Sequence, residues 1–235
     1  MSRNNRIGLW WLPIAVVSVL LLAGIVTLVV YTCLPPGRTE PTNPPNPTGP
    51  TGRASASDLV CRMYSRFSGQ YVEDGSDEPV ENVAAILVSN TSAEFLDLAN
   101  FTYIIAGKTA TFVASGLPPG GTAWLMESSR MTIGEDAVFT YVDCVCSFRD
   151  KYMDTTDKLS VYEDGHNLAV KNESGETLKD VYLYYKVYHT DGNFLGGITY
   201  RVGFGDLEPG ATAESIAGHY AAENSRIVRI SWDDG

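Results

Sequence analysis

Apolar residues follow two regimes along this chain. From Ile7 to Thr32 they run for 26 positions without a charge. At about 1.5 Å per residue, a helix of that length crosses a hydrocarbon core of about 30 Å. Trp10, Trp11 and Tyr31 stand near its ends, where amphipathic rings favour the membrane boundary, and Pro13 falls in the first turns, where a missing N–H costs least. Beyond residue 58 the pattern changes to short β-branched and aromatic runs separated by turn signals. Residues 83–88, 101–105, 122–126, 137–142, 159–162, 181–188, 198–202 and 227–232 read as strands. Asp74-Gly75, Asp164-Gly165 and Asp191-Gly192 read as hairpin turns, and residues 58–67 can hold a short helix.

The long apolar run is read as an uncleaved anchor over 7–32. A cleaved signal peptide carries a shorter apolar stretch of about 7–15 residues ending in a small-x-small site. The residues before Gly24 and Cys33 fit that pattern poorly. Arg3, Arg6 and the amino terminus precede the run with no acid, whereas Arg38 beyond it is offset by Glu40. That asymmetry predicts a cytoplasmic amino terminus (1–6) and an exported remainder, a single-pass protein of the cell membrane with its carboxy-terminal head extracytoplasmic. Residues 33–57 follow as a linker; Leu34 to Ser57 hold seven of the twelve prolines and no aromatic residue. Such a segment cannot bury enough apolar surface to fold and reads as an extended, disordered stalk.

The head contains a repeat. Asn90-Thr-Ser-Ala-Glu-Phe-Leu96 aligns with Asn172-Glu-Ser-Gly-Glu-Thr-Leu178, and Leu117-Pro-Pro-Gly-Gly-Thr-Ala123 with Leu207-Glu-Pro-Gly-Ala-Thr-Ala213. The offset grows from 82 to 90, which assigns eight extra residues to the second copy, around Asp191–Gly197. The expected fold is all-β: two tandem immunoglobulin-like antiparallel β-sandwich domains, at 58–156 and 157–235, with the boundary near Thr155–Asp157.

Leu168-x-Val-Lys-Asn172, Asp180-Val-Tyr-Leu-Tyr-Tyr-Lys-Val-Tyr188, Asp191-Gly192 and Leu207-Glu-Pro-Gly210 together resemble the FxLYD type of immunoglobulin-like bacterial surface domain. Gly196-Gly-Ile-Thr-Tyr-Arg201 and Ser225-Arg-Ile-Val-Arg229 are similar to a group of single-pass membrane proteins of clostridia-like bacteria. The resemblance covers about 70 residues well and 83–126 more loosely. It implies a surface location and an immunoglobulin-like fold, and it brings no catalytic residue.

Charge narrows the partners. The chain has 235 residues and a formal net charge of −11; residues 58–235 alone hold 13 basic and 27 acidic residues. Such a surface repels phosphate backbones, so nucleic acid is not an expected partner. At 44% hydrophobic and 11% aromatic, the composition supplies a real core.

Candidate chemistry is sparse. Strand alternation puts Val181, Leu183, Tyr185 and Val187 on one face, and Tyr182, Tyr184, Lys186 and Tyr188 on the other. Tyr182, Tyr184 and Tyr188 are the candidate binding surface; cross-strand packing, or cover by the neighbouring domain, is the other reading. Cys61, Cys144 and Cys146 are the candidate disulfide residues, with Cys61 bridged to one of the other two, or else all three are buried thiols. Glu73, Asp74, Asp77, Glu78 and Glu81 read as a solvated acidic loop, with a calcium site as the alternative. No metal and no cofactor is expected. His166, His189 and His219 fall in no hydrolase or metalloprotease motif, and no phosphate-loop glycine pattern occurs, so no enzyme is expected. Asn90, Asn100 and Asn172 match the N-glycosylation pattern. The expected role is a non-catalytic interaction module for an envelope or surface protein partner. Cell-wall glycan or ion binding is the alternative, and a wall-active hydrolase the remoter one.

Overall fold

The computed structural model describes residues 54–149 and 158–233. Anchor 7–32, the stalk up to residue 53 and the boundary near 155–157 lie outside the described residues. Among the described residues no helix is long and apolar enough to cross a membrane. A single 3-10 turn, Ala56–Asp58, precedes a succession of strands. The fold is all-β, in several antiparallel sheets.

The first half supplies β1 (Leu59–Tyr71), β2 (Glu78–Asn90), β3 (Phe95–Ile105), β4 (Lys108–Leu117), β5 (Thr122–Met126) and β6 (Phe139–Arg149). β1, β2 and β5 line up in one sheet, and β4, β3 and β6 in another. Ile86, Val88 and Leu125 from the first sheet share a core with Phe95, Phe101, Tyr103 and Phe112 from the second. Residues 83–90 are buried without alternation, the pattern of a strand covered on both faces. The helix expected over 58–67 is instead the start of β1, which pairs with β2 from Leu59↔Asn90 to Tyr71↔Glu78. Its mixed apolar and polar sequence is weak evidence for either state, and a long partner strand settles it.

The second half supplies β7 (Leu159–Asp164), β8 (Asn167–Asn172), β9 (Leu178–Val187), β10 (Phe194–Leu195), β11 (Tyr200–Leu207), β12 (Thr212–Ile216) and β13 (Ser225–Asp233). β12-β8-β7 and β11-β9-β13 form two further sheets. Leu168 and Val170 meet Val181, Leu183, Tyr185 and Ile230 in their shared core.

The repeat is a repeat of hydrogen bonds. Asn90 and Asn172 are both fully buried. Asn90 Nδ2 donates to the carbonyls of Glu94 (2.9 Å) and Leu117 (3.0 Å), while its Oδ1 accepts from Ser92 N and Oγ. Asn172 Nδ2 donates to Glu176 (2.7 Å) and Leu207 (2.8 Å), while its Oδ1 accepts from Ser174 N and Oγ. Each amide thus staples its own Asn-x-Ser turn to the end of a distant strand. Both amide groups are consumed in the interior, and neither is accessible to a glycan.

The extra residues of the second copy have a defined place. They leave β9, turn at Gly192 (φ 83°), and as β10 pair in parallel with β5 of the first half, Phe194↔Ala123 and Leu195↔Trp124. Gly196 and Gly197 follow at very close approach. A Cβ on Gly197 would lie 1.6 Å from the Val113 carbonyl oxygen, and one on Gly196 2.3 Å from Val72. Only glycine lets this strap lie against the first half.

Candidate functional site

β9 lies at the centre of its sheet, so both of its faces are defined by neighbours. Val181, Leu183 and Tyr185 point into the core. Tyr182, Tyr184, Lys186 and Tyr188 occupy the other face, and that row divides in two.

At its inner end, Lys186 is fully buried. Its Nζ donates to the carbonyls of Ile198 (2.7 Å), Ser115 (3.1 Å) and Gly197 (3.2 Å), so it joins β9, the strap and β4. Tyr188 stacks on Phe194 at 4.9 Å between ring centroids. On the far side of the strap, Glu73 accepts from Gly197 N (2.9 Å) and Met126 N (2.8 Å). The Gly197 peptide therefore stands between an ammonium on its carbonyl and a carboxylate on its N–H. Burial pushes the Glu73 carboxyl up and the Lys186 amine down, and the charge of each partner opposes the other's shift.

At the outer end, Tyr182 and Tyr184 are partly exposed, but Tyr184, like Tyr188, also packs against the core of the first half, so for these two the alternative of packing applies. The Arg201 guanidinium lies 4.7 Å from the centroid of Tyr182, and that of Arg229 lies 4.8 Å from Tyr184. Arg201 on β11 and Arg229 on β13 are both register partners of Tyr184. Two strand spacings of about 4.8 Å set their backbones about 10 Å apart, one on each side. Gly203, also on β11, leaves room for the Tyr182 ring, whose edge would lie 3.0 Å from an added Cβ.

The other expected residues separate. Cys144 and Cys146 both face the first-half core from β6, and Cys61 faces it from β1. All three are free thiols. Burial pushes the Cys144 thiol up to about 12 and raises those of Cys61 and Cys146. The five acids do not converge. Glu73 turns to the strap, Asp74 and Glu78 hold Arg130 at 2.5 and 2.7 Å, and Asp77 lies 3.3 Å from His219. Among the described residues no group of three or more His, Cys, Asp or Glu is placed to hold a metal. His189 Nδ1 lies 3.0 Å from Asp191 Oδ1 without a hydrogen bond, and Asp191 Oδ2 accepts from the Trp124 indole at 2.7 Å; His166 meets the Tyr220 carbonyl.

Sequence reasoning placed Lys186 on the tyrosine face without marking it as buried. Arg201 and Arg229 it missed, because their proximity to the tyrosines depends on strand register. Glu127 it also missed: this buried carboxylate accepts from the backbone N–H groups of Thr111, Ser129 and Met131 and from the Ser129 hydroxyl. These four bonds pin the turn after β5 and leave its lone pairs no role toward a ligand.

No protein-family model matches the chain, and comparison with curated proteins yields no match. Among solved structures, a D341A D367A calcium-binding mutant of Bacteroides uniformis beta-glucuronidase 2 is similar at 12% identity and a TM-score of 0.16, over 74% of this chain and 28% of that one. The chain spans little more than a quarter of that enzyme's length.

Proposed function

We propose that this chain is a single-pass membrane protein, amino terminus cytoplasmic, that presents two tandem immunoglobulin-like β-sandwich domains on a proline-rich stalk. Its role is non-catalytic: the head offers an interaction surface to an envelope or surface protein partner. The observation that carries this reading is the division of labour in the head. Buried Asn90, Asn172, Glu127 and Lys186, with half-buried Glu73, are engaged by its own backbone. At the outer end of β9, Tyr182 and its exposed neighbour Arg201 instead face outward, beside Tyr184 and Arg229, which are half-buried, Tyr184 against the first-half core. Tyrosine and arginine carry much of the energy in protein interfaces, since both offer area and directional donors at modest entropic cost. One side of the Tyr182 and Tyr184 rings already carries a guanidinium, which favours a protein partner over sugar stacking.

The test is chemical crosslinking of the intact chain in its host, read by mass spectrometry, beside a Tyr182→Ser/Tyr184→Ser/Tyr188→Ser variant. A specific protein captured by the parent and lost in the variant supports the reading. Wall glycan recovered in its place, or no specific partner for either form, contradicts it.

A further inference from the structure

The outer end of the β9 sheet is a cationic island on an acidic head. Residues 58–235 carry 27 acids against 13 bases, yet here Arg201 and Arg229 face the same side of one sheet. Neither belongs to an ion pair among the described residues, whereas Arg66, Arg130 and Arg149 all do. Each lies over a tyrosine ring, which strips water from one side of the guanidinium and leaves its N–H fork to seek a planar acceptor. Arg149 beside them holds Asp97 at 2.5 Å through Nε, an internal example of a carboxylate accepted at this edge. Burial first and then the positive charge of Arg149 lower the affinity of Arg229 for its proton, while Asp97, the partner of Arg149, acts in the opposite direction.

We infer that Arg201 and Arg229, on the platform of Tyr182 and Tyr184, form a clamp for a short acidic peptide segment of a partner protein, with two carboxylates about 10 Å apart. This rests on the interaction-module reading above and names the chemistry of the partner. The field of the whole head selects the length of the ligand. A long polyanion extends past the island and meets the surrounding negative surface, whereas a segment with two acids ends within it. In a polyproline II segment, with three residues per turn and a rise of about 3.1 Å, two acids three positions apart point to the same side about 9 Å apart, close to the separation of the arginine backbones.

The probe is a fluorescein-labelled nonapeptide with two glutamates three positions apart, and its glutamine twin, titrated by fluorescence anisotropy against the full chain in non-ionic detergent at low ionic strength. The glutamate peptide is expected to bind and to weaken with added salt, and the glutamine twin to bind at least about tenfold more weakly. Arg201→Gln/Arg229→Gln is expected to lose about tenfold or more in affinity. Ser231→Glu, which adds a carboxylate opposite Tyr182 while keeping both arginines, gives a comparable loss in a chain whose patch is otherwise intact. Equal binding of the two peptides, or unchanged binding by both variants, overturns the inference. So does tripolyphosphate displacing the probe more effectively than the unlabelled glutamate peptide does, which would make this a phosphate site. A partner crosslinked equally to parent and arginine variant removes the acidic clamp while leaving the interaction module standing; absence of any partner removes the module itself.

Discussion

Lys186→Met is the most informative single change, because the structure allows its cost to be apportioned. Of the three carbonyls that Nζ reaches, two keep another donor. Ser115 O still accepts from the Thr199 hydroxyl at 2.7 Å, and Gly197 O from Ser115 N at 2.8 Å. Only Ile198 O loses its donor, at about 1–3 kcal/mol. Glu73 loses the cation that faces it across the Gly197 peptide, and methionine recovers part of the packing of the lysine stem. A total loss of about 2–4 kcal/mol follows, read as a lower urea midpoint with unchanged slope for the intact chain. The sign with pH is fixed. Burial raises the folded-state pKa of Glu73 above the ordinary carboxylate range, so the charged form penalises the fold as pH rises through that interval. Without Lys186 that penalty grows. The variant should therefore lose more stability at pH 8 than at pH 5, and Glu73→Gln added to Lys186→Met should cost less than the two single changes together. A neutral Lys186→Met, a loss that is larger in acid, or simple additivity would refute the coupling through Gly197.

Three further outcomes are expected. Asn90→Ala and Asn172→Ala each leave a buried carbonyl without its donor and should each cost about 2–3 kcal/mol in denaturant titrations, with Asn→Asp no better because the lost donors face carbonyls. Gly197→Ala should lower the melting temperature sharply because its Cβ has no room beside Val113 O, while Gly175→Ala, with nothing within 4 Å, should leave it nearly unchanged. Cys61, Cys144 and Cys146 should all titrate as thiols with Ellman's reagent, slowly at pH 8 when folded and quickly in urea; loss of two thiol equivalents would establish a bridge instead.

Much of the strand pattern was legible because alternation and turn chemistry are local. Val181–Tyr185 alternates as its residues predict, the pattern breaking at buried Lys186, and Asp164-Gly165 turns where expected, with Gly165 at φ 59°. β4 was missed although Thr109, Thr111, Phe112 and Val113 favour strands, because Ala and Ser dilute its apolar pattern and its hairpin uses Ala106-Gly107, both at positive φ, rather than an Asn-Gly or Asp-Gly pair. The repeat located the eight additional residues. Their crossing to β5 was not legible, since parallel pairing between distant segments leaves no local signature. The candidate site was half visible for the same reason. A strand's own residues reveal its tyrosines, but Arg201 and Arg229 reach them through strand pairing, and the burial of Lys186 depends on the strap.

The central claim is that the outer face of the β9 sheet meets a protein partner. The direct measurement is site-specific photo-crosslinking in the native host, with the photoreactive residue at Ser231 on β13 or at Glu214 on β12 of the other sheet. The account predicts one discrete protein adduct from Ser231 and none of that mass from Glu214. Adducts from neither position, or the same adduct equally from both, would contradict it.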